Sequence, residues 1–351
     1  LELETSAHRL RLADSKESIT LQVFHCEMII TRNLFSDSVA TASAPGKLIL
    51  FGEHFVIYGL PSIASAIDSR TTATIEQSTR YELIDNRPET PGYKKEKAEQ
   101  QADSVRRILR AMDIDGSRIK ITLAGDLVAA SGVGASAASC SAIAAALNAE
   151  FGLGLGLDRI NEIAYEGEKG YHGTPSGIDN SCSTYGGFIR FQKDVQTSKG
   201  KIEPVRYSRP LTAVVGNTGI TSNTAKVVDD VKIQWSNHPQ KFERIFAEYA
   251  RIVSSAEVAL RKNDIKGVGQ LMNENHELLR EIGVSCPELE ALVSIARRSG
   301  ALGAKLTGTG RGGLMIALVT DENRESVARS IERAGYKSQI VHIGAEGVRI
   351  L

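Results

Sequence analysis

The chain has 351 residues, 42% hydrophobic and 24% charged, and its 42 Lys and Arg balance 42 Asp and Glu. That length suffices for one large domain or two ordinary ones, and zero net charge disfavours a nucleic-acid or anionic-membrane surface, so the expected partner is a small molecule. Cys26, Cys140, Cys182 and Cys286 are scattered with no C-x-x-C pair, and no apolar run reaches 18 residues; this disfavours a zinc site, a disulfide framework and a transmembrane helix, and fits a reducing, cytoplasmic setting.

The leader over residues 1–40 is polar and mixed, lacks the compact apolar stretch of a signal peptide, and has no assigned role. From Ala44 to Glu76 the runs "KLILFG", "FVIYG" and "TTATIEQ" predict antiparallel strands and hairpins. After the polar excursion "RPETPGYKKEK" come a helix over Glu96–Met112 and a strand, "RIKITLAG". The small-residue stretch "VAASGVGASAAS" leads into an Ala-rich helix, "SAASCSAIAAALNAEFG", ended by Gly. A second helix, "LDRINEIAYEGEK", runs into a loop read over "GYHGTPSGIDNSCSTYGG". Two strands, "GFIRFQK" and "TAVVGN", precede a mostly helical stretch over 221–300. Another Gly-rich loop in "KLTGTGRGG" stands before a strand, and a helix and a strand follow. Strands and helices segregate, which predicts α+β rather than a doubly wound sheet, with a boundary in 190–220.

Three stretches carry chemistry. The small-residue loop between a strand and a helix offers backbone N–H groups and a positive helix end to an anion. It is not a Walker A loop, because no Lys follows Gly134. Ser136 at the helix start reads either as an N-cap or as a hydroxyl ligand for Mg²⁺. "APGKLILFGEH" supplies Lys47, Glu53 and His54, and "GEKGYHGTPSGIDN" supplies Glu168 and Asp179 around a Gly/Pro turn. Each has a plainer alternative: a surface lysine for Lys47, a core histidine for His54, a solvated helix carboxylate for Glu168 and a turn former for Asp179. His172 reads as a structural anchor, and Cys140 and Cys182 as small buried residues. Two Gly-rich loops, an isolated Lys and two carboxylates are together the parts that phosphoryl transfer requires.

In this order and spacing, "APGKLILFGEHFVIYG", "SGVGASAAS" and "KLTGTGRGG" resemble the three motifs of the GHMP kinases, the family of galactokinase and of the homoserine, mevalonate and phosphomevalonate kinases. The resemblance covers roughly residues 42–345. It implies an N-terminal ribosomal-protein-like α/β domain over 41–205, a C-terminal ferredoxin-like α+β domain over 206–351, and an active site in the cleft between them. "LFGEHFVIYG", "HGTPSGIDNSCSTYGG" and "NTGITSNTAK" look like the versions in members that phosphorylate mevalonate, in isoprenoid biosynthesis.

By that resemblance Lys47 and Asp179 are catalytic, the cation beside the substrate hydroxyl and the base facing it. Ala130, Ser131, Gly132, Val133, Gly134, Ala135 and Ser136 wrap the ATP phosphates, with Gly308 and Gly310 in support. Lys47, Glu53, His54, Asp179 and Thr224 contact the substrate, and Ser136 and Glu168 hold Mg²⁺. A homodimer is compatible, with no nucleic-acid or membrane partner. The chain departs from the family pattern at Ala135, where the first Ser of the second motif is usual, and at Arg311, where Gly is usual; Arg311 either adds a charge near the phosphates or faces solvent, and the second is expected. Other acceptors in the family, phosphomevalonate or homoserine, and a non-catalytic ligand sensor are the alternatives.

Overall fold

A computed structural model describes residues 39–128, 132–194, 200–207 and 209–351. Its frame is two long antiparallel strands, β1 (Val39–Phe51) and β2 (Ser62–Gln77), paired from Val39↔Glu76 to Phe51↔Ile63. The register shifts between Pro45 and Lys47. Pro45 has no N–H for the ladder, and the bulge that results turns the Lys47 N–H away from β2. The FVIY segment between the strands, expected as a strand, is a 3₁₀ turn over Phe55–Tyr58. Phe55 in it stacks on Tyr249 with centroids 4.0 Å apart, so tertiary packing overrides the β-rich composition.

Around β2 the first layer adds β3 (Glu82–Asp85), β4 (Ile119–Gly125), β5 (Phe188–Lys193) and β6 (Gly200–Val205). Four helices cover it: α1 (Ala98–Ala111), α2 (Ala135–Glu150), α3 (Leu157–His172) and α4 (Ile178–Tyr185). In α2 the small side chains of Ala, Ser and Cys allow burial nearly all round, as a helix pressed beneath a sheet requires. The stretch expected to be a continuous loop after α3 contains α4, which starts behind left-handed Gly177.

The second layer is β7 (Leu211–Asn217), β8 (Gly303–Thr307), β9 (Leu314–Val319) and β10 (Lys337–Ile343), in the order β10-β7-β9-β8 and antiparallel throughout. The helical stretch resolves into α5 (Thr224–Asn237), α6 (Pro239–Arg261), α7 (Ile265–Glu281) and α8 (Pro287–Arg298), and α9 (Arg324–Arg333) leads into β10. The layers join through one strand pair, Ile343↔Ile67. Residues beyond β10 cross back to the first layer, where β11 (Arg349–Ile350) pairs with β1. Arg70 on β2 donates to the carbonyls of Glu346 and Gly347 and fastens this return. Among the described residues no helix is long and apolar enough to cross a membrane.

Candidate active site

At the β1 bulge the Lys47 N–H donates to the Val133 carbonyl at 2.7 Å, docking the small-residue loop onto the strand. Gly134 follows at φ 76°, and a Cβ there would come within 2.9 Å of Lys47 Cγ. Glycine is required twice over, by its left-handed backbone and by the lysine stem against it. The Lys47 ammonium forms an ion pair with Asp179 Oδ1 at 3.1 Å. Burial works against the lysine's charge, but Asp179 outweighs it and holds the group above the usual lysine value. Asp179 sits in the first turn of α4, the helix that was read as loop.

Glu168 lies near the end of α3 and is 1% exposed. Burial, then the nearby Asp179 charge, push its carboxyl up to about 8, against the opposing hydrogen bond from Ser136. Ser136 does not cap its helix: α2 begins at Ala135 behind Gly134, which leaves the Ser136 hydroxyl in the first turn. Its Oγ lies 3.4 Å from His172 Nε2, which in turn is 3.9 Å from Glu168 Oε2. His172, read as an anchor, thus faces the site; its i+4 spacing from Glu168 on one helix was the available signal. Burial lowers the His172 pKa despite the Asp179 charge.

Glu53 and His54 come off the end of β1. His54 has φ 62°, and its Nε2 is 2.7 Å from the Thr309 carbonyl, so that nitrogen is the donor. Thr309 Oγ1 shares a 2.9 Å hydrogen bond with Thr224 Oγ1, at the first residue of α5. Glu53 Oε1 accepts from Lys305 Nζ at 2.5 Å, and neither side chain of this pair is exposed. Burial pushes the Glu53 carboxyl up and the Lys305 ammonium down, each partly offset by the other. Glu53 Oε2 and His54 Nδ1 are buried without a hydrogen-bond partner among the described residues. Lys305 is a buried partner of Glu53 that the sequence does not announce, because a lysine in a glycine motif carries no sign of burial.

The third loop, Gly308–Gly313, links β8 to β9. At Gly310, φ 79°, a Cβ would come within 2.1 Å of the Val284 carbonyl, so no other residue fits there; at Gly308 the space is open. Arg311, expected to face solvent, is instead partly buried and ion-paired with Asp230. The structure therefore brings Lys47, Asp179, Glu168 and Ser136 to one cluster beside Gly132, Val133, Gly134 and Ala135. Glu53, His54, Thr224, Gly308 and Gly310 gather on the adjoining third loop. Ala130 and Ser131 lie outside the described residues. A cation against a carboxylate, beside an anion-receptive helix start, can deprotonate a hydroxyl and steady a transferring phosphoryl group.

Comparison with known proteins decides the family. Residues 102–187 match "GHMP kinases N terminal domain" and residues 256–337 match "GHMP kinases C terminal". A mevalonate kinase of Pyrococcus horikoshii is 36% identical over 332 residues, covering 88% of this chain and 97% of that relative. The chain belongs to the GHMP kinases. A further mevalonate kinase, of Methanothermobacter thermautotrophicus, is 32% identical over 79% of this GHMP kinase and 89% of its own length. Among solved structures, mevalonate kinase of L. major in complex with R-mevalonate aligns at 39% identity with a TM-score of 0.82, covering 87% of this chain and 96% of that one. Galactokinase of Lactococcus lactis, at 20% identity and TM-score 0.68, shares the fold. As in other GHMP kinases the phosphoryl donor is ATP, and the α+β expectation holds.

Proposed function

We propose that this GHMP kinase transfers the γ-phosphoryl group of ATP to the C5 hydroxyl of mevalonate, giving 5-phosphomevalonate and ADP. The observation that carries the reading is the Lys47–Asp179 pair, set at 3.1 Å beside Gly134 at the start of α2. In the reaction the C5 oxygen forms a bond to phosphorus as the bond to the ADP oxygen breaks. Asp179 Oδ accepts the hydroxyl proton, and Lys47 stabilises the negative charge that develops on the oxygen and the phosphoryl group. The loop up to Ser136 takes the ATP phosphates through backbone N–H groups, and Thr224, Glu53 and His54 belong to the acceptor side.

Ser136 and Glu168 fit a magnesium ion. Both offer hard oxygen donors, and a carboxyl raised to about 8 by burial and by Asp179 is one that a divalent cation would return to its charged form. Bound there, the ion supplies charge neutralisation of the phosphates. The division at residues 205 and 206, with the leader apart, belongs to the same reading, as does a cytoplasmic setting, which the free thiols of Cys140, Cys182 and Cys286 support.

The decisive experiment measures ADP release with MgATP and mevalonate, phosphomevalonate, homoserine or galactose in turn. Turnover with mevalonate alone, and a phosphorus NMR signal of a 5-phosphate, is the expected result. Turnover confined to another alcohol, or ATP binding without turnover on any, would overturn it.

A further inference from the structure

Arg311 of the third loop has no part in the phosphate and acceptor roles proposed above. It is the loop's one non-glycine with a left-handed backbone, at φ 53°. A side chain there strains the chain where glycine would not. Three contacts hold it in place. Its N–H donates to the Val284 carbonyl at 2.7 Å, and its Nε donates to the Gly283 carbonyl at 3.0 Å. Its guanidinium forms an ion pair with Asp230 in the second turn of α5.

The partner helix explains why such a contact matters. Of the 14 residues of α5 only Val227 and Val231 are buried, so little apolar area seats it. Near its far end Trp235 packs edge-on against Tyr58 and Phe246, while its first half is held by polar contacts to the third loop. At its start Thr224 meets Thr309. Ahead of it the Ile220 carbonyl accepts from the Gly313 N–H at 2.8 Å, and the Thr218 N–H donates to the Gly313 carbonyl at 3.0 Å. Farther along, Asp230 meets Arg311.

We propose that Arg311 and Asp230 form a latch that seats α5 on the third glycine loop and so fixes where Thr224 stands relative to the acceptor alcohol. Arg311 is then a positioning residue that acts through α5. The role rests on the reading above that Thr224 faces the acceptor.

Arg311→Gly is the informative variant, since it restores the residue the backbone favours and does not threaten the fold. It is measured beside Asp230→Asn, Arg311→Lys and the double variant Arg311→Gly/Asp230→Asn. Two readouts are taken: amide hydrogen exchange across α5 in the unliganded protein, and steady-state kinetics with MgATP and mevalonate. The expected result is unchanged thermal stability for Arg311→Gly, faster exchange at Lys226–Val231, and a KM for mevalonate raised about tenfold with the KM for ATP unchanged. Asp230→Asn should do the same and add nothing in the Arg311→Gly background, and Arg311→Lys should restore part of the loss. Unchanged exchange in both single variants would overturn the latch. Faster exchange with an unchanged KM for mevalonate would overturn the positioning role. Absence of mevalonate turnover in the parent protein would instead sink the functional reading, while the exchange comparison still decides the latch.

Discussion

The two glycine loops of this kinase are held by different physics. The first ends on α2, in which twelve of 16 residues are buried, and is pinned to β1 by the Lys47 N–H and by the lysine stem against Gly134. The third faces α5, with two of 14 residues buried, and meets it through hydroxyls, carbonyls and one half-exposed ion pair. Close apolar packing on the first scale resists displacement more strongly than a few polar contacts do. The proposed chemical step thus draws on Lys47 and Asp179 beside the well-buried α2, and the choice of acceptor on the loop held by polar contacts.

The contrast can be broken or sharpened by substitution. The largest effect is expected at the ion pair beside α2: Asp179→Asn and Lys47→Met should each lower kcat by about 10²–10⁴-fold with folding intact. Near-normal kcat in either, by initial rates with saturating MgATP and mevalonate, would remove its assigned role. At the base of the other loop, Lys305→Met strands the Glu53 carboxylate in the interior and should cost about 3–5 kcal/mol of stability by urea unfolding. Replacing both, as Lys305→Met/Glu53→Gln, should recover part of that loss; a double variant as unstable as the sum of the singles would mean the pair does not act as a unit.

A smaller and more specific effect is expected from pH. Glu168 titrates at about 8 in the folded protein against 4.5 for its unperturbed group, so between these values the folded state holds a proton that the unfolded state has released. Stability of the metal-free protein should therefore fall as pH rises from 4.5 towards 8, by an amount on the order of a few kcal/mol, and then level off. Glu168→Gln should flatten that slope. Thermal melts across the range that show the same slope in the variant would assign it to another group.

Much of this was legible in the sequence where local signals agree. The alternating runs of β1 and β2, the Ala-rich α2 and the glycine-rich third loop each have one physical reading, and Lys47 and Asp179 stand in motifs whose spacing survives in three dimensions. What stayed hidden depends on tertiary context. α4 follows the turn-forming "GTPSG" and is itself written in Asp, Asn, Ser and Thr, which read as loop, and it becomes a helix by burying Ile178 and Cys182 against the first layer. The FVIY turn yields to the stacking of Phe55 on Tyr249. The Lys305–Glu53 pair joins residues 252 apart in the chain, and the Arg311–Asp230 pair residues 81 apart, separations at which no periodicity speaks.

The return of the chain to β1 has a consequence in time. The Arg70 guanidinium reaches the carbonyls of Glu346 and Gly347, and the Leu351 N–H donates to Thr41. During synthesis on a ribosome the first layer is assembled from residues made early, yet among the described residues the outer edge of β1 gains its partner only once Arg349 and Ile350 have been made. That edge of the early half therefore waits for the late half to deliver β11. Closure across so long a loop is slow compared with pairing between neighbouring strands.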